Sequence, residues 1–192
     1  SDLPSGEVIS ADWLTDIVAA ARRIGAVVLS DECYALMDWR SVRRNTAASS
    51  APAASASAAS VPAAPVAESN EPASGTAFSL SATPCALNPH VCEGSAAGIL
   101  VLYSLSKQSN MAGYRTALIA GDYRLIKEMA EYRKQIGQII PGPVQAAMAA
   151  GLKDAAAVHE QWGRYRRRLS ALVDALKAYG YSAQIPSGAL YV

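Results

Sequence analysis

The chain has 192 residues, enough for one sizeable hydrophobic core, and its formal net charge of +1 gives no reason to expect nucleic acid or an anionic membrane as a partner. Three cysteines without a paired spacing and two distant histidines argue against a disulfide framework and against a zinc site. No apolar run is long enough to span a bilayer and no charged-then-apolar leader opens the chain, so a reduced, cytoplasmic protein is expected. The apolar fraction of 51% is largely alanine, and with a single Phe the aromatic packing falls to Trp13, Trp39, Trp162 and nine tyrosines.

From Ser10 to Arg23 the pattern is helical. Ser10 is a capping residue, Trp13, Leu14, Ile17, Val18 and Ala21 form an apolar face, and Gly25 stands where a helix-ending glycine belongs. The run "AVVLSDE", 26–32, then reads as a buried parallel strand whose carboxyl end faces a site. From Thr46 to Thr83 the chain is nearly all Ala, Ser and Pro. It has too little apolar area to offset the entropy of ordering, and is expected to be a disordered insertion.

Folded order resumes near Pro84. "GILVLYS" (98–104) and "TALIAGD" (116–122) are two further strands, with "SLSKQSNMAGYR" (104–115) around the connection between them. A helical pattern follows Asp122 to about Ile139, breaks at Pro141 and Pro143, and resumes over 145–152. A long helix covers 154–179 with Leu169, Leu172, Val173 and Leu176 on one face, and the tail "YSAQIPSGALYV" reads as two short strands. Strands alternating with helices predict an α/β sheet with helices packed against it.

Lys107 directly follows a buried strand, between Ser106 and a polar turn. Arg115, eight residues on, together with Ser104 and Ser106 offers a guanidinium fork and hydroxyl donors for a phosphate. A primary amine beside a phosphate site is what a cofactor bound as a Schiff base requires. Asp31 closes the first strand and in a parallel sheet ends on the same edge as Lys107. A carboxylate there would keep a pyridine nitrogen protonated, and Tyr34 could donate to a ring oxygen. Taken singly, each of these residues also has an ordinary structural reading, Asp31 as a turn cap and Tyr34 as a packing ring.

Together, "SDECY", "YSLSKQSNMAGYRTA", the Gly121-Asp122 pair and "GRYRRR" resemble the large domain of fold-type I pyridoxal-phosphate aminotransferases of class I/II. Within that group they are similar to the actinobacterial type of N-succinyldiaminopimelate aminotransferase, an enzyme of lysine biosynthesis. The resemblance implies a mostly parallel sheet flanked by helices and pyridoxal 5'-phosphate as cofactor. It also implies amino-group transfer between glutamate/2-oxoglutarate and an amino or keto acid, and a homodimer of the full-length protein. Position by position, Lys107 would hold the cofactor and move the proton, and Asp31 would pair with the ring nitrogen. Tyr34 would bond the ring oxygen, and Ser104, Ser106 and Arg115 would hold the phosphate. The division implied is a large-domain part over 1–45, the insertion 46–83, a large-domain part over 84–153 carrying the lysine, and the start of a small domain over 154–192.

Three departures from the family pattern stand out. Leu3 occupies the place of an asparagine that would bond the ring oxygen, a loss worth roughly 1.5–3 kcal/mol for a hydrogen bond to a charged group. Ala117 replaces a glycine, which matters only if the backbone there needs a positive φ. The upstream phosphate loop, the stacking aromatic ring and the arginine for the substrate carboxylate have no counterpart in these residues, so the chain is expected to be part of a longer enzyme. Rival readings are another transaminase or a carbon–sulfur lyase on the same scaffold, or an inactive relative keeping the fold. Arg164, Arg166, Arg167 and Arg168 read as a solvated helix face, His90 and His159 as structural, and Cys33 as buried and inert.

Overall fold

The computed structural model describes residues 6–40 and 84–192. Leu3 and the Ala/Ser/Pro-rich stretch 46–83 lie outside the described residues. Helix α1 spans Ala11–Arg23, and its cap is as expected: the Ser10 hydroxyl accepts from the Trp13 N–H at 3.1 Å. Ile24 and Gly25 end the helix, Gly25 at a φ of +68° that costs glycine nothing. The buried side of α1 is narrower than the sequence pattern suggests. Leu14 and Val18 are buried, whereas Trp13 is 60% exposed.

Strand β1, Val28–Asp31, pairs in parallel with β2, Ile99–Ser104, and β2 pairs antiparallel with β3, Ala117–Gly121. The three-stranded sheet is therefore mixed, with β2 in the centre. β2 is the most buried strand, and its Ile99, Leu100 and Val101 are all core residues. "LNPHVC" forms a one-turn helix α2 over Pro89–Cys92, capped by the Asn88 side chain. Val91 and Cys92 of α2 join Leu14, Val18, Ala86, Ile99 and Val101 in one core cluster, so α1 and the 84–92 segment cover the same face of the sheet. Arg22 fastens this layer. Its guanidinium pairs with Glu93 at 3.1 Å and donates to the carbonyls of Cys92 and Ser95.

The one-turn helix α3, Leu105–Gln108, follows β2 without a break. After β3 come α4 (Tyr123–Gln135), α5 (Gly142–Gly151) and α6 (Ala155–Ala178). Pro141 precedes α5 and Pro143 sits in its first turn, the place where a missing N–H costs nothing. The tail after α6 contains no strand. Its one sheet-like contact is an isolated antiparallel bridge between Gly188 and Asp38. It is held by a second cluster, in which Met37, Trp39 and Leu169 pack with Tyr34, Trp162, Tyr165, Ile185 and Leu190.

The "GD" pair has a local physical reason. Gly121 has a φ of +141°, and a Cβ there would lie 2.0 Å from the Ile99 carbonyl oxygen. Asp122 then accepts from the N–H groups of Gly98 (2.8 Å), Arg124 (2.8 Å) and Leu125 (3.4 Å), capping α4 and tying it to the start of β2. Ala117, by contrast, lies in extended strand backbone and is not among the residues with positive φ, so its side chain is accommodated without strain.

Two outcomes follow from this corner of the fold. Gly121→Ala should destabilise the chain by about 2–4 kcal/mol, read from the urea midpoint; an unchanged midpoint would refute the close approach. The N–H groups of Gly98 and Arg124 hold the Asp122 carboxyl below its usual 3.8. Its contribution is thus present above that ordinary value and lost as the pH falls through the lower, folded-state one. Asp122→Asn should flatten the fall in melting temperature on acidification, and parallel curves for the two proteins would contradict that.

Candidate active site

The parallel register places Asp31 opposite Leu102, so β1 and β2 end at the same edge of the sheet. From that edge α3 carries Ser106 and Lys107 outward, while β1 continues into the turn that carries Cys33 and Tyr34. Asp31 is exposed, and its Oδ1 accepts from the Cys33 N–H at 3.1 Å, closing a tight turn. Glu32 points the other way. Its Oε1 accepts from the Ser30 hydroxyl (3.0 Å) and the Ala86 N–H (2.8 Å), pinning the resumed chain to the strand end.

Lys107 Nζ lies 5.6 Å from the centre of the Tyr34 ring, within the range of a cation–π contact. Two of the six sequence-nominated residues, from distant parts of the chain, are thus in contact. The Cys33 thiol is pushed up to about 11, first by burial and then by its hydrogen bond to Asp31 and that carboxylate's charge, while the charge of Lys107 works against the rise. Asp31, Cys33, Tyr34 and Lys107 therefore share one electrostatic neighbourhood. The Tyr34 phenol is pushed up to about 12, by burial first and then by the Tyr191 hydroxyl. At neutral pH Tyr34 is a protonated donor.

Ser104 is buried and caps α3, its Oγ accepting from the Ser106 N–H at 3.1 Å. The Ser104 hydroxyl also reaches the Ser106 hydroxyl at 2.8 Å and the Thr116 carbonyl at 3.4 Å. The serine pair is thereby tied to the turn that ends at Arg115. Arg115 itself has a φ of +50°, a left-handed conformation that a non-glycine residue adopts at some cost. Its guanidinium is exposed and donates to the Ala112 carbonyl at 2.9 Å. The backbone of Arg115 is in place beside the serines, whereas its side chain is folded onto its own turn.

A cavity of about 360 Å³ opens beside Asp31 and Tyr34, walled by Ile9, Trp13, Leu14, Ile17 and Met37. Neither Lys107, the two serines nor Arg115 lines it. It lies on the α1 side of Asp31 and is not an enclosure for a ligand that meets all six residues. One residue at the site went unnoticed in the sequence reading. Tyr191, in the tail, brings its hydroxyl to 3.4 Å from that of Tyr34, and nothing in its local sequence marks it. The arginine run is a solvated face only in part: Arg164 pairs with Glu160 one turn away, whereas Arg166 is half-buried and donates to the Trp39 carbonyl at 3.2 Å.

The profile of the family "Aminotransferase class I and II" matches residues 3–192. The chain belongs to the class I and II aminotransferases. It is 33% identical over 189 residues to a "Probable aminotransferase" of Mycobacterium tuberculosis, covering 98% of this chain and 36% of the relative. It is 35% identical over 189 residues to the 4-dedimethylamino-4-oxo-anhydrotetracycline transaminase OxyQ of Streptomyces rimosus, covering 98% and 42%. An LL-diaminopimelate aminotransferase of Methanococcus maripaludis matches over 93 residues at 33% identity, 47% of this chain and 22% of that one. Among solved structures, an aminotransferase of Neisseria meningitidis superposes with a TM-score of 0.67 at 21% identity, over 98% of this chain and 38% of that one. The aminotransferase AspB of Helicobacter pylori does so at 0.67 and 20%, over 100% and 40%. This chain thus has the aminotransferase fold and spans about two fifths of the relatives it matches. The family depends on pyridoxal phosphate.

The donor set fits that cofactor chemically. A carboxylate for a ring nitrogen, a protonated phenol for a ring oxygen, an amine for an aldehyde, and two hydroxyls with a guanidinium near a phosphate are all present at one sheet edge. The held-up thiol gives a direct check on the neighbourhood. With Cys33 at about 11 against an ordinary 9.0, its alkylation at mildly alkaline pH should run roughly tenfold slower than that of an unhindered thiol, the smaller thiolate fraction being partly offset by greater nucleophilicity. Asp31→Asn should speed it. Peptide mapping after timed alkylation reads both rates, and fast labelling of Cys33 in the parent protein would contradict this placement.

Proposed function

We propose that these residues form the cofactor-binding half of a pyridoxal-phosphate-dependent aminotransferase, with Lys107 as the residue that holds the cofactor. The observation that carries the reading is the approach of Lys107 to Tyr34 at the edge where Asp31 ends its strand. When bound, pyridoxal phosphate supplies an aldehyde that captures amines and a ring that accepts electrons. Asp31, a carboxylate at the strand end, keeps the ring nitrogen protonated. Tyr34 donates its phenolic proton to the ring oxygen, a role suited to a phenol held up to about 12. The Lys107 amine, once free, would take the proton from the substrate's alpha carbon and deliver it to the cofactor's aldehyde carbon, so that the proton lost at one carbon is gained at the other. Ser104 and Ser106 would hold the phosphate, Ser104 by redirecting a hydroxyl that here donates to Ser106, and Arg115 would neutralise it in place of its bond to the Ala112 carbonyl.

The substrates are small amino and keto acids, with glutamate and 2-oxoglutarate as one pair and N-succinyl-LL-2,6-diaminopimelate as the other. The phrases around Lys107 support that choice, and the partial match to an LL-diaminopimelate aminotransferase supports a diaminopimelate-type substrate without the succinyl group. The relative that aminates a tetracycline ketone supports a second reading, a bulkier ketone acceptor on the same cofactor site. The division at residues 46, 84 and 154, the homodimer and the cytoplasmic setting belong to the same proposal.

The test is direct. The chain is mixed with pyridoxal 5'-phosphate, reduced with borohydride, and digested for mass spectrometry. Label is expected on Lys107 and should vanish in Lys107→Ala; label scattered over other lysines, or none, would sink the assignment. For the substrate, glutamate-dependent amination of the N-succinyl keto acid by the longest natural form of the protein should exceed that of the free diaminopimelate keto form.

A further inference from the structure

We propose that Tyr191 is a positioning residue for Tyr34: its phenol donates to the Tyr34 hydroxyl and so directs that hydroxyl's own proton toward an anionic oxygen of the ligand held at Lys107. The inference rests on the cofactor reading above. A phenol has one proton to give. If Tyr34 spends it on a ligand oxygen, the Tyr34 oxygen can meet Tyr191 only as an acceptor, and Tyr191 must be the donor. The two hydroxyls lie 3.4 Å apart, with ring centres at 6.5 Å and planes tilted by 56°. That is longer than a formed O–H···O bond, as is common for site contacts that tighten when the ligand arrives.

The tail is built to deliver this residue. Gly188 N–H donates to the Gly6 carbonyl at 2.7 Å, Trp39 N–H to Ser187 at 2.8 Å, Ala189 N–H to Met37 at 2.9 Å, and the Trp39 indole N–H to the Ala189 carbonyl. Ala189 is wholly buried and has a φ of +59°, a conformation an L-residue holds only when its surroundings impose it. Beyond this turn Leu190 packs into the Met37–Trp39 cluster while Tyr191 remains 48% exposed, leaning on Tyr34. Tyr191 is thus exposed, with its hydroxyl turned to that of Tyr34.

Tyr191→Phe removes the hydroxyl and keeps the ring. In the cofactor-free chain, the 13Cζ resonance of Tyr34 at neutral pH, assigned by its loss in Tyr34→Phe, should move in Tyr191→Phe and stay put in Tyr132→Phe, a change on an exposed face of α4. With pyridoxal phosphate, Tyr191→Phe should weaken binding roughly three- to tenfold, and should shift the pH midpoint of the Lys107 adduct's visible band in the direction that Tyr34→Phe shifts it. The double variant should be no worse than Tyr34→Phe alone. An unmoved Tyr34 resonance overturns the pairing, and additive losses in the double variant overturn the positioning role. A moved resonance in a parent chain that takes no label on Lys107 upholds the pairing and overturns the cofactor reading.

Discussion

The site depends on the parallel pairing of β1 with β2. Its register, Asp31 opposite Leu102, brings two segments seventy-odd positions apart in sequence to one edge, and each ends there in a chemical group. Neither group could be placed by local structure. A slip of one residue would turn Asp31 to the other face of the sheet and carry the apolar pattern of β1 with it. The register is held by the burial of Ile99, Leu100 and Val101 in the central strand, and by Glu32, which bonds Ser30 and the Ala86 N–H just past the edge.

Two other devices refine what the register provides. The serine cap starts α3 at the last residue of β2, so the helix that bears Lys107 leaves the sheet in one direction. The Gly121-Asp122 corner locks β3 and α4 to the beginning of β2, which steadies the strand from its far end. The tail then closes the arrangement from outside. Trp39, stacked near Trp162 at 5.4 Å and bonded to Ala189, holds the segment that follows Tyr34 against α6.

The electrostatics of the edge are those of an open half-site. Asp31 and Arg115 are exposed, Lys107 is half-buried, and the cavity beside them is lined by Asp31 and Tyr34 but not by the lysine. Groups this exposed gain little from one another across water, and a bound ligand that excludes water would strengthen every one of these contacts. The chain's span of about two fifths of its relatives agrees with a site whose remaining walls come from residues beyond these.

The amino-acid sequence alone determined most of the elements and the family. Apolar runs and capping residues announced three strands and the helices between them, because these signals are local, and the Lys107–Arg115 spacing with its two serines marked where to look for a site. Local signals misjudged two things. Trp13 carries an apolar side chain at helical spacing yet stays exposed, and the tail's alternation forms no strand. Only the tertiary structure decided the direction of β3, the φ of Arg115, the fold of its guanidinium onto Ala112, and the meeting of Tyr191 with Tyr34. The reason is physical: strand direction, a strained turn and a contact between residues 157 positions apart are set by packing and hydrogen bonds to distant parts of the chain.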